Sequence, residues 1–125
     1  MSFVTRLRND APDAIAPDGS EVRILANTAR GSMAEFVLPP GKISIAVSHH
    51  TVEEVWCFTQ GKGQLWRKNE TAEAIVQIHP GLSISIPVGT HFQFRNDGTE
   101  NLKAIGTTMP PWPNADEAYL VKGKW

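Results

Sequence analysis

Leu82, Ser83, Ile84, Ser85 and Ile86 alternate strictly between apolar and polar until Pro87-Val88-Gly89 stops the run. Residues 91–95 alternate again and close on Asn96-Asp97-Gly98, a tight-turn signal. Successive side chains of a strand point to opposite faces, so a period of two marks a half-buried strand. The same short run with a Pro or Gly stop recurs along the chain. Strands are expected over Glu21–Asn27, 33–38, 64–68, 73–79 and Leu102–Met109, with a short edge strand over 1–8. Residues 9–20 are rich in Asp, Pro and Gly and read as loop, and Pro39-Pro40 cannot lie inside a paired ladder. In the tail over 110–125, Asn114 is placed to cap one helical turn through Ala118, with a last short strand over 119–121. About eight to ten short strands with almost no helical periodicity predict an all-β chain, a sandwich or barrel. Its 125 residues are the length of one domain with a single core.

The chemistry is concentrated in residues 40–61, PGKISIAVSHHTVEEVWCFTQG. The larger apolar residues of 43–48 fall on odd positions. Ile43, Ile45 and Val47 are therefore expected to share a face with His49. After a turn, Glu54, Trp56 and Phe58 share a face in the same way. One inward surface then holds apolar side chains and, at its rim, an imidazole and a carboxylate. That is the make-up of a ligand or metal pocket in a small barrel.

Twelve basic against thirteen acidic residues give a net charge of −1, and no Lys/Arg run exists. Nucleic acid and anionic membranes are therefore not expected partners. Cys57 is the single cysteine and cannot form an internal disulfide, which fits a reducing compartment. The opening MSFVTRLRNDAP holds no apolar signal-like core, and no stretch approaches transmembrane length. The expectation is a soluble, cytoplasmic protein. The sequon Asn69-Glu70-Thr71 is then incidental.

Two stretches resemble the paired motifs of the cupin superfamily, G-x5-H-x-H-x3,4-E-x6-G and G-x5-P-x-G-x2-H-x3-N. From Gly41 the first lands on Val47, His49, Glu54 and Gly61; from Gly81 the second lands on Pro87, Gly89, Phe92 and Asn96. The resemblance covers 41–96 and implies a double-stranded β-helix, or jelly-roll barrel, with a strand and loop over 1–20 before it and a tail over 110–125 after it. It also implies a homodimer, since cupins commonly associate through terminal strands. Cupins that hold a metal typically use three His and one Glu. Here Val47 and Phe92 stand where two of those His would be, and neither side chain can ligate a metal. A one-residue slip after Gly89 would turn His91 inward instead. His49, Glu54 (or Glu53) and His91 would then form a three-ligand set for a divalent ion such as Zn, Fe, Mn or Ni.

Three functions follow. The first is a barrel that binds a small molecule, with His49 and Glu54 as polar anchors and Trp56, Phe92 and Phe94 as apolar walls; two inward charged groups need partners, which favours a functional role over mere core filling. The second is a metal-dependent enzyme of the dioxygenase or isomerase sort, using His49, Glu54 and His91. The third is a non-catalytic dimeric interaction module. The aromatic residues fill the core of a small barrel equally well. His50 and Glu53 are expected to be solvated, His79 to be a turn residue, and Cys57 to alternate away from the pocket. Trp112 and Trp125 are placed to cover the barrel mouth or a dimer interface.

Overall fold

A computed structural model of the chain describes residues 2–125. Its strands are β1 (Ala14–Ile15), β2 (Glu21–Asn27), β3 (Ser32–Leu38), β4 (Val47–His49), β5 (Glu53–Gln60), β6 (Gly63–Lys68), β7 (Glu73–Ile78), β8 (Ser83–Ile86), β9 (His91–Asn96), β10 (Leu102–Met109) and β11 (Ala118–Leu120). They form two antiparallel sheets, ordered β1-β2-β3-β10-β5-β8 and β11-β4-β9-β6-β7. From β4 to β10 the chain passes back and forth between the sheets, with the hairpin β6–β7 as the one step within a sheet. This is the path of a jelly roll, and the all-β expectation holds.

The alternation seen in the sequence becomes the wall of the core. Along β5, Glu54, Trp56 and Phe58 are buried while Glu53, Val55 and Cys57 are exposed. Along β10, Leu102, Ala104, Gly106 and Thr108 point inward in the same way. Phe58, Leu65, Ile86, Phe92, Phe94 and Leu102 from both sheets are almost fully buried against one another. Gly106 lies opposite Trp56 on β5 and Ala34 on β3. Its missing side chain is what lets the Trp56 and Phe36 rings approach to 4.9 Å.

The four motif glycines share a backbone reason. Gly41, Gly61, Gly81 and Gly89 all have φ between +74° and +96°, a conformation that a Cβ disfavours. Asn96 also has a structural task. Buried at the end of β9, its amide donates to the Leu38 and Glu100 carbonyls, and its oxygen accepts from Gly98 N. Asn114 caps a 3-10 turn over Ala115–Glu117 by accepting from Asp116 N, as expected. His79 is the turn residue foreseen, its carbonyl accepting from Leu82 N.

Two expectations are corrected. Residues 2–8 form no strand, and Met1, the start of that expected strand, lies outside the described residues. The open edge of β2 is taken instead by β1, which pairs Ala14 with Val22, while Arg8 Nε holds the leading segment to Glu35 Oε1 on β3 at 2.6 Å. Nor do Ile43 and Ile45 face inward; each is about half exposed, at 51% and 49%. Here the chain changes partners. Ser44 bonds β9 through Phe94, whereas Ile45 N donates to Asp18 O in the loop before β2 at 2.7 Å. The alternation shifts phase at that step, so the inward face resumes only with Val47 and His49.

Candidate functional site

Between the sheets lies a cavity of about 470 Å³. The side of it that carries polar chemistry is built by neighbouring strands. Val47 on β4 pairs with Phe92 on β9, which sets His49 two residues on at the same face. Glu54 pairs with Thr108 on β10 and Ile86 on β8, which places its carboxyl on the inner face beside Trp56. His49, Glu54, Trp56 and Phe92 all line the cavity, as the sequence predicted.

Phe94 does not line it. Phe94 sits deeper in the core, edge-on to Trp56 with ring centroids 5.4 Å apart. It supports the wall rather than forming it, because two residues along β9 carry it about 7 Å from Phe92 and away from the mouth.

His91 is not brought to the site either. β9 pairs without a slip: Phe92 faces Val47 and Arg67, and His91 lies opposite Lys68. Phe92 and Phe94 are buried on the inner face, so His91 belongs to the outer one, and the slipped register is corrected. Among the described residues no group of three His, Cys, Asp or Glu converges as metal ligands. His49 with Glu54 alone does not fit the three- or four-ligand centre that the family resemblance implied.

What the site holds instead is a pair of buried groups. His49 Nδ1 lies 3.3 Å from Glu54 Oε2, and the two residues are 5% and 4% exposed. Nδ1 makes no aligned hydrogen bond to any partner. Glu54 Oε1 accepts from the Trp56 indole N–H at 3.2 Å. Burial pushes Glu54 up to about 8, the Trp56 bond opposes that, and the nearby Asp18 charge raises it further. Burial also lowers His49, against the pull of Glu117 and the Val52 backbone. The close contact is therefore not an ion pair near neutral pH; both partners are held toward their uncharged forms.

The third polar group, Asp18, was hidden in a loop. The turn over Ala16–Ser20 is closed by Gly19 N on the Ala16 carbonyl and Ala16 N on the Ser20 carbonyl. Asp18 is 5% exposed and faces the cavity. Both the amide and the hydroxyl of Ser20 donate to its Oδ1. Burial raises its pKa despite those bonds. Pro-Asp-Gly-Ser reads as an exposed turn, and no local pattern marks its Asp as buried.

The tail completes the enclosure. Trp112 lines the cavity, with its ring edge-on to His49 at 5.1 Å. Trp112 N donates to Ser32 Oγ at 3.0 Å, and Ser32 Oγ bonds in turn to Thr108 Oγ1. Glu117 fixes the other side of the His49 turn by accepting from His50 N, Thr51 N and the Thr51 hydroxyl. Trp125 is elsewhere, under the Arg95 guanidinium at 4.7 Å, with its backbone held by Gln93. His50 and Glu53 are exposed, as expected, although His50 stacks on Tyr119.

Comparison with known proteins gives this barrel a family. The cupin domain profile matches residues 34–107. An uncharacterised protein of Methanocaldococcus jannaschii, MJ1618, is 32% identical over 111 residues, covering 85% of this chain and 86% of its own. Among solved structures, the capsular polysaccharide assembling protein CapF of Staphylococcus aureus superposes with a TM-score of 0.70 at 19% identity over 94% of this chain; the chain spans 34% of CapF. A Klebsiella pneumoniae protein with a double-stranded β-helix domain gives 0.67 at 13% identity, covering 95% and 91% of the two chains. The cupin domain of Schizosaccharomyces pombe Cnp3 gives 0.65 at 14%, over 73% of this chain and 64% of that one. At such identities the structural likenesses speak for the fold alone, while the profile and the archaeal relative settle the family: this chain is a cupin.

Proposed function

We propose that the barrel binds a small organic molecule, with its apolar body against Trp56, Phe92 and Trp112 and its polar end at His49 and Glu54. One observation carries this reading. A buried imidazole nitrogen without a hydrogen-bond partner sits 3.3 Å from a buried carboxyl at the wall of a cavity of about 470 Å³. Unpaired buried polar atoms are costly, and a mostly apolar cavity with a few convergent polar groups is the usual form of a ligand site. A ligand that meets both groups removes the penalty on binding.

The test is calorimetric titration of the protein with a panel of small aromatic alcohols, amines and acids. At least one compound is expected to bind. His49→Ala should weaken that compound about tenfold or more, the loss of one buried hydrogen bond. His91→Ala, on the outer face, should leave the affinity unchanged, as should treatment with a chelator. Equal weakening by both variants, or loss of binding on chelation, would refute the assignment of the site.

A further inference from the structure

The cavity wall has a lopsided charge inventory. Two carboxyl residues line it, Asp18 and Glu54, each about 95% buried, and no Lys or Arg lines it among the described residues. Carboxylates buried this far are normally paired with a cation or neutralised, yet the protein supplies no cationic side chain here. Part of the remaining hydrogen-bonding capacity belongs to these carboxyls. Both Ser20 donors fall on Asp18 Oδ1, which leaves Oδ2 without a donor among the described residues. The Trp56 indole takes Glu54 Oε1, which leaves Oε2 facing His49. His49 Nδ1, on a side chain 5% exposed, is itself unpartnered. Trp112 N and the Ser32 and Thr108 hydroxyls, which lie on the same wall, bond to one another. The rest of the wall includes the aromatic rings of Phe36, Trp56, Phe92 and Trp112.

We propose that the cavity takes an organic ammonium ion, with its charged nitrogen at the Glu54–His49 pair, Asp18 on the same cavity wall, and its carbon skeleton among the aromatic rings. This deepens the ligand-binding reading above and rests on it. A primary ammonium carries N–H donors and no acceptor, which suits a wall where Asp18 Oδ2 has no donor and Glu54 Oε2 faces only His49. Its charge is the counter-ion that would let the buried Glu54 and Asp18 carboxyls ionise on binding, and aromatic faces attract cations. An anionic ligand meets the opposite: two acidic groups whose ionisation it would oppose and no cationic side chain to pair with.

The experiment compares three probes of one shape: phenethylammonium, phenethyl alcohol and hydrocinnamate. Each is titrated calorimetrically into wild type, Glu54→Gln and Asp18→Asn. The ammonium is expected to bind the wild type at least about tenfold more tightly than the alcohol, with hydrocinnamate weakest. Either substitution should reduce the preference for the ammonium over the alcohol, while binding of the alcohol itself persists. Alcohol or hydrocinnamate binding as tightly as the ammonium in the wild type would overturn this inference and leave the ligand-binding reading standing. A cavity that takes none of the three would overturn both. An ammonium preference that survives in both variants would also overturn it, by placing the charge elsewhere.

Discussion

Replacing Glu54 by Gln should stabilise this protein, and by an amount that depends on pH. Glu54 is buried and its pKa is pushed from an ordinary 4.5 up to about 8. In the unfolded chain the carboxyl ionises near 4.5; in the folded chain it keeps its proton until about 8. The folded state therefore holds the extra proton across that window. A state that binds more protons loses stability as pH rises. Each pH step across the window costs the wild-type fold about 1.4 kcal/mol, which amounts to about 3 kcal/mol at pH 7 and about 5 kcal/mol above pH 8. A glutamine is neutral throughout and has nearly the same shape. Its oxygen can still accept from the Trp56 indole, and its amide can donate to the unpartnered His49 Nδ1. Urea titrations of Glu54→Gln and wild type should coincide near pH 4 and separate progressively up to about pH 8, after which the gap stays constant. His49 contributes with the opposite sign, since its lowered pKa makes stability rise with pH, but it is present in both proteins and largely cancels in the difference. A gap that does not change with pH, or a Glu54→Gln variant that is the less stable of the two at pH 8, would refute the account of a buried, uncharged Glu54.

Two further substitutions probe what surrounds that group. In Gly106→Ala the new Cβ would lie 2.6 Å from the Phe36 ring and 2.8 Å from the Trp56 ring, so both must move; a loss of about 1–3 kcal/mol is expected, read as a lower urea midpoint together with a changed Trp fluorescence spectrum. Glu117→Ala strips the acceptor from His50 N, Thr51 N and the Thr51 hydroxyl and should cost about 2–3 kcal/mol near neutral pH. Despite the desolvation that opposes ionisation, those donors hold the Glu117 pKa below 4.5. Its contribution is therefore present above that value and lost as pH falls through the folded pKa, and the gap between the two proteins should narrow in acid.

Much of this architecture could be read from the chain alone, and the exceptions rest on partners and depths that a local pattern does not carry. β5 and β10 sit inside a sheet with partners on both sides, so their alternation is set by one uniform environment and Glu54, Trp56 and Phe58 fall where the pattern puts them. Ile43 and Ile45 do not, because the chain there changes partner from β9 to the Asp18 loop, and a change of partner leaves no mark in a local pattern. Asp18 is the same event seen from the other side. Its turn is legible, but its carbonyl is met by Ile45 N, a partner far along the chain just before β4. The face of Phe94 was legible and its depth was not, since alternation gives a direction and no distance. Trp112 reaches the cavity through Ser32, a contact across 80 residues.

The most direct test of the central claim is an NMR titration that watches the indole N–H signals of the four tryptophans while phenethylammonium and phenethyl alcohol are added. Trp56 and Trp112 line the cavity; Trp66 is bonded to Glu73 and Trp125 packs on Arg95, both away from it. Saturable shifts of Trp56 and Trp112, with Trp66 and Trp125 unmoved, are the predicted result. Shifts confined to Trp66 or Trp125, or none at all for either probe, would contradict the assignment of this cavity as the binding site.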